Sequence, residues 1–272
     1  MRDTMKACKP GDANKKIPSP SLTPGTGARI GFLGLIFDRI DLPRAAQRLA
    51  ARARANDAFV YVIAPNVEQL VRLTDQPELH PVYRGAWMTL CDSRILARLA
   101  RMSGLDLAAV PATSLVKRLF ETQIDPEDRV LVVGGDADMI RTLRGRYALS
   151  DIRWHDAPAN LKSDPKARSA CSDFIVNNPA RWIFLAVGSP QQEMIAHEVA
   201  LRGDAKGVGI CCGASLDLLT GQAQPGPAWM RRFGLERLHR LGRGIGRRCQ
   251  RYLVNGPRIV DVWLRWRRTA RG

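Results

Sequence analysis

Four short polar segments carry residue types that can hold the polar groups of a ligand. They are Ala64-Pro65-Asn66, Cys91-Asp92-Ser93, Gly188-Ser189-Pro190-Gln191-Gln192-Glu193 and Gly213-Ala214-Ser215-Leu216-Asp217. Gln191, Gln192 and Glu193 would lie at the positive end of a helix, where they can face a phosphate or sugar hydroxyls. Each residue also has an ordinary structural use. Asn66 and Asp92 suit helix caps, and Gln192 and Glu193 suit an exposed helix start.

Apolar runs precede all four segments. Phe59–Ala64, Ala86–Cys91, Arg181–Val187 and Gly207–Cys212 read as strands, as do Arg129–Gly135 and Asp151–His155. Helical patterns lie between them, at 66–79 with Asn66 in the N-cap position, at 93–104 closed by Gly104, at 137–146 and at 191–202. This alternation predicts an α/β, Rossmann-like fold with a mostly parallel sheet and helices on both faces. In such sheets ligands bind beyond the carboxyl ends of the strands, so the four polar exits are expected to share one crevice. Pro190 fits the first turn of the helix that follows, and Gly188 would let a ligand approach closely. Val132-Val133-Gly134-Gly135-Asp136 is not G-x-G-x-x-G and is a poor phosphate loop, and His155-Asp156 reads as structural.

Around this core the composition shifts. Residues 1–27 are rich in Lys, Pro, Ser, Gly and Thr and read as a disordered leader; residues 28–222 read as the α/β core. Residues 223–272 read as a basic helical appendage of three stretches broken by Gly and Pro. The net charge is +16, and the segment Arg231–Arg271 holds thirteen Arg, no Lys and two acids, Glu236 and Asp261. A one-sided cationic end points to a polyanion: an anionic membrane surface, phosphate groups or nucleic acid. No recognisable DNA- or RNA-binding module accompanies it, so nucleic acid is not the expected partner. No apolar run reaches the ~18 residues of a membrane span, so membrane contact would be peripheral. The six Cys form no C-x-x-C and stand at no metal-ligand spacing to His, which reads as free thiols in a reducing cytosol.

Taken together, Val187-Gly188-Ser189-Pro190-Gln191-Gln192-Glu193-Met194-Ile195-Ala196, Gly207–Gly221, Pro227–Leu241 and Arg247–Val260 resemble, in order and spacing, the WecG/TagA/CpsF family of bacterial glycosyltransferases, glycosyltransferase family 26. The resemblance runs from about Gly31 to Val262. It implies an inverting transferase that moves a sugar from a UDP-sugar to a polyprenyl-diphosphate-linked acceptor. The reaction would take place on the inner face of the cell membrane, in cell-surface polysaccharide assembly. Oligomers are also implied. By the resemblance, Asp92 matches the general base, and Asn66, Gln191, Gln192, Glu193 and Asp217 fall at sugar or acceptor contacts. Arg240, Arg247, Arg248 and Arg251 match appendage arginines that would hold a diphosphate. Cofactors are not implied. Metal use is not indicated: no Asp-x-Asp of the kind that holds a metal-bound nucleotide sugar is read, and cations can stabilise a departing UDP without one.

Several positions depart from the family pattern. Ala64 replaces a Thr, Ser93 a Gly, Ala109 an Arg and Ser114 an Asp, and Pro225-Gly226-Pro227 replaces Arg-Ala-Pro. These departures leave room for an altered donor or acceptor. They also leave room for a degenerate, non-catalytic member that binds UDP-sugar or a lipid carrier as an assembly partner.

Overall fold

The computed structural model describes residues 29–158, 160–221 and 245–269, with side chains in the last segment from Gly256 onward. The expected leader, Arg240 and most of the expected appendage before Ile245 lie outside the described residues.

Six parallel strands form the central sheet: β3 (Val60–Ile63), β4 (Met88–Thr89), β5 (Val130–Val133), β6 (Ile152–His155), β7 (Trp182–Leu185) and β8 (Val208–Cys211), in spatial order β4-β3-β8-β7-β5-β6. Alternate side chains of a strand leave opposite faces. Here both sets are apolar and both are buried. Tyr61, Ile63, Leu131, Val133, Ile183, Leu185 and Cys211 enter one core. Val62, Val130, Val132, Trp182, Phe184, Val208 and Ile210 enter the other.

Helices cover both faces, as a parallel sheet requires. The first core receives α2 (Val67–Asp75), α4 (Arg94–Arg101), α7 (Pro165–Asn177) and α8 (Gln191–Arg202). The second receives α1 (Leu42–Arg54), α5 (Ala112–Thr122), α6 (Ala137–Tyr147) and α9 (Ser215–Leu219). A short helix, α3 (His80–Arg84), links α2 to β4.

A two-stranded hairpin, β1 (Arg29–Phe32) and β2 (Leu35–Asp38), precedes the sheet. Its turn residues Leu33 and Gly34 have φ of 51° and 81°, the left-handed pair that suits a twisted hairpin. Buried Asp38 accepts a hydrogen bond from Thr89 N at 2.9 Å and pairs with Arg29 and Arg48. The hairpin thereby shields the edge strand β4, just before Asp92.

Residues 245–269 form one helix, α10 (Ile245–Thr269), not two stretches broken at Gly256-Pro257. Proline inside a helix costs about 3 kcal/mol or more through a lost hydrogen bond and a steric clash. Docking beyond Pro257 offsets that cost. Ile259 and Trp263 are buried in the first core, and Trp263 Nε1 donates to Ser103 Oγ at 2.8 Å. Trp266 meets Phe32 edge-on at 5.1 Å, and Arg258 pairs with Asp75 of α2. Residues 256–269 are thus part of the core packing. Substituting Trp263 with Ala should cost about 3–5 kcal/mol of stability, read as a lowered midpoint in urea unfolding.

Candidate active site

In the sheet order β4-β3-β8-β7 the four polar exits are neighbours, although their sequence positions span more than a hundred residues. The parallel register sends all of them to one edge of the sheet.

Asp92 follows β4. Its backbone N–H donates to Pro65 O at 3.0 Å, which ties the β4 exit to the β3 exit. Its half-buried side chain accepts a hydrogen bond through Oδ1 from Ala112 N at 2.9 Å, at the first residue of α5. Ala109 bridges to Cys91, and Ser114 lies in the first turn of α5, so both substituted positions flank the Asp92 segment.

Asn66 caps α2. Its Oδ1 accepts from Glu68 N at 3.0 Å and Gln69 N at 3.3 Å, and Gln69 Oε1 accepts in return from Asn66 N at 2.9 Å. This is a reciprocal capping box. The cap uses the carbonyl oxygen, so a ligand contact from Asn66 would come from Nδ2.

At the β7 exit the helix begins at Gln191, the expected bound, and Pro190 stands just outside its first turn. Pro190 is the N-cap, after a cis Ser189–Pro190 bond. Gly188 has φ of 81°, and a Cβ there would meet nothing within 4 Å, so backbone conformation demands the glycine. Gln191 is half-buried.

Gln192 and Glu193 are not exposed helix-start residues. They are 5% and 1% exposed. Gln192 Nε2 donates to Glu193 Oε1 at 2.8 Å, and Gln192 Oε1 accepts from Gly213 N at 2.8 Å, a donor that also reaches Leu185 O at 3.3 Å. Gln69 Nε2 donates to the same Glu193 oxygen at 3.0 Å. Glu193 Oε2 is buried without a hydrogen-bond partner. Burial holds the carboxyl above its ordinary range, against the pull of the Gln192 amide, its own backbone N–H, the Ser189 hydroxyl and the Arg72 guanidinium. Tyr61 of β3, Tyr83 of α3 and Cys211 of β8 surround it, each shifted up by burial and further by the Glu193 charge. Arg72 donates to Ser189 Oγ at 2.9 Å and pairs with Glu68 at 3.0 Å, while the Tyr83 hydroxyl lies 3.2 Å from Ser189 Oγ.

Asp217 is half-buried in α9, beyond the β8 exit. Arg247, Arg248 and Arg251 fall in α10, where their side chains lie outside the described residues.

The remaining motifs serve the fold. Gly134 and Gly135, at φ of 89° and 78°, turn the chain after β5, and a Cβ on Gly134 would come within 2.7 Å of Val187 Cγ1. Asp136 and Asp138 do stand at Asp-x-Asp spacing. Asp136, however, caps α6 by accepting from Met139 N at 2.8 Å, and Asp138 pairs with Arg141. His155 stacks on Phe174 at 5.2 Å. Among the described residues no three His, Cys, Asp or Glu side chains gather in a way that could hold a metal ion.

Gln69, Arg72, Ser189 and Tyr83 were not singled out by sequence pattern. Gln69 had a signal, because Asn66-x-x-Gln69 is capping-box spacing. The others join the cluster only through the tertiary fold.

The family model described as the Glycosyl transferase WecG/TagA/CpsF family covers residues 30–272.

The state of Glu193 has a consequence for stability. A carboxyl raised by folding binds its proton more tightly in the native chain. Its contribution is full below the unfolded value of 4.5 and is lost as pH rises through the native value. Replacing Glu193 with Gln removes that dependence. The melting temperature of E193Q should exceed that of the wild type more at about pH 8 than at about pH 4.5, with ~2–4 °C for each kcal/mol involved.

Proposed function

Since the chain belongs to the WecG/TagA/CpsF glycosyltransferase family, we propose that it moves a sugar, with inversion, from a UDP-sugar to a polyprenyl-diphosphate-linked acceptor in cell-surface polysaccharide assembly. The observation that supports this reading is the hydrogen bond from Asp92 N–H to Pro65 O, which ties the backbone of the Asp92 segment to that of the Asn66 segment at adjoining strand exits. Asp92 takes the proton of the acceptor hydroxyl. The freed oxygen attacks the anomeric carbon from the face opposite the nucleotide, the bond from that carbon to the diphosphate oxygen breaks, and UDP leaves with the bonding pair. Asn66, Gln191 and Asp217 orient donor and acceptor around this line. Gln192 and Glu193 contribute from within the protein, through the loops they hold. Arg240, Arg247, Arg248 and Arg251 take the charge of the departing diphosphate, where a fork of donors suits phosphate oxygens.

The test is Asp92→Asn, assayed for transfer to a synthetic prenyl-diphosphate sugar across a panel of UDP-sugar donors. Loss of a positioned base should lower turnover about 10²–10⁴-fold while UDP binding by calorimetry changes little. Unchanged turnover removes Asp92 as base. A second reading, binding of UDP-sugar or lipid carrier without turnover, is favoured by Ala109 and Ser114 beside Asp92. UDP binding by the wild type with no transfer to any acceptor would select it.

The acceptor class sets the location. Among the described residues no helix is long and apolar enough to cross a membrane. The cationic segment Arg231–Arg271 would hold the protein peripherally on the anionic inner face of the membrane. The full chain should float with phosphatidylglycerol vesicles and not with phosphatidylcholine vesicles, and raised salt should release it. Flotation indifferent to lipid charge and salt would refute an electrostatic attachment, and tighter retention by oligonucleotides would point to nucleic acid. Assembly into homo-oligomers is part of the same proposal.

A further inference from the structure

Glu193 stands beside the candidate site, yet at 1% exposure its carboxyl is closed to a ligand. What it touches instead is a line of four hydrogen bonds, three of them buried and the one at Gly213 part-buried. Asn66 N donates to Gln69 Oε1 at 2.9 Å, and Gln69 Nε2 donates to Glu193 Oε1 at 3.0 Å. From the other side, Gly213 N donates to Gln192 Oε1 at 2.8 Å, and Gln192 Nε2 donates to the same Glu193 oxygen at 2.8 Å. The line begins at the β3 exit, crosses the start of α8 and ends at the β8 exit, four residues before Asp217.

The direction of this line is set by the carboxyl oxygen at its centre together with the backbone N–H groups at its ends, which can only donate. A glutamine amide fits its space either way round, and its partners decide which end donates. Glu193 Oε1 accepts from both amides, so Gln69 and Gln192 both turn nitrogen inward. Their carbonyl oxygens must then point outward, one to Asn66 N and the other to Gly213 N. One oxygen atom therefore accepts from two side chains, and each of these holds the backbone of a different strand exit. Gln69, Gln192 and Glu193 are each less than a tenth exposed, so water offers little substitute for a lost partner.

We propose that Glu193 and Gln69 are positioning residues, which hold the β3 and β8 exits at the separation that a nucleotide sugar requires. The proposal rests on the sugar-transfer reading for its ligand and on the hydrogen-bond line for its structure. A ligand-contact or charge role predicts that Glu193→Gln is as harmful as Glu193→Leu. Positioning predicts otherwise: glutamine keeps the accepting oxygen and the shape, and leucine keeps only the approximate volume.

The experiment uses the full chain as wild type, E193Q, E193L and Q69L. Each is titrated with UDP by calorimetry, and amide hydrogen exchange is followed in peptides covering residues 64–70 and 211–217. E193L should raise the UDP dissociation constant about tenfold or more and speed exchange in both peptides. Q69L should do so chiefly in the first. E193Q should restore UDP affinity to within about twofold of the wild type. The proposal is overturned if E193L exchanges like the wild type in both peptides, or if E193Q loses UDP as fully as E193L. Should E193L fail to fold, Q69L supplies the same comparison at the β3 exit. A wild type that does not bind UDP would refute the sugar-transfer reading, and the exchange data would still decide whether Glu193 holds the two exits.

Discussion

A parallel sheet with apolar side chains on both faces confines polar chemistry to its ends. The four inner strands, β3, β5, β7 and β8, each feed two cores, and neither core tolerates an unpaired carboxylate or amide cheaply. The polar residues of the strand-exit segments therefore collect beyond the carboxyl ends, where backbone groups released from the ladder supply hydrogen-bond partners. The spatial order β4-β3-β8-β7 then decides which segments meet. Asp92, Asn66, the Gly213–Asp217 segment and the Gly188–Glu193 segment become neighbours because of strand order, not through any closeness in the chain.

Polar residues at that edge have two tasks, and the structure divides them within single side chains. Asn66 spends its carbonyl oxygen on a helix cap, so the proposed ligand contact would fall to its amide nitrogen. Asp92 spends Oδ1 on the start of α5. Gln192 is spent at both ends and acts from inside. A residue that also caps or bridges is held in one rotamer, and a fixed rotamer is what a transfer reaction needs from its first contacts. The choice between structural and functional readings, open for each residue in isolation, is thus not exclusive.

The fold was largely legible in the sequence because burial on both faces leaves continuous apolar runs, and five of the six sheet strands follow from such runs, whereas β6, Ile152-Arg153-Trp154-His155, is mixed. The hairpin at Arg29–Asp38 and helices α1, α5 and α7 were not read. The hairpin strands are four residues each, and α1 hides its apolar face in small alanines at 45, 46, 50 and 53. The break expected at Gly256-Pro257 failed for a different reason. Local propensity opposes a helix there, and the contacts that overrule it, to Ser103, Phe32 and Asp75, are distant in sequence. At the site, pattern located the exits and could not tell exposed amides from buried ones. Exposure of Gln192 and Glu193 depends on Gln69 and Gly213, which approach them only in three dimensions.

The continuity of α10 bears on how the cationic end works. Ile259 and Trp263 fix its second half to the core, with the Arg267 guanidinium 4.8 Å above the Trp263 ring. Arg251 and Arg247 precede Ile259 by eight and twelve residues on the same helix, about 12 and 18 Å at 1.5 Å per residue. Those arginines are therefore carried on an element whose far end is anchored, not on a loose tail. An anchored helix loses less conformational entropy when its arginines engage a diphosphate, because much of the ordering was completed during folding. The same anchor makes charge and stability inseparable in this region. Removing the whole segment would delete Ile259 and Trp263 along with the arginines, so only substitution of individual arginines isolates what the charge contributes.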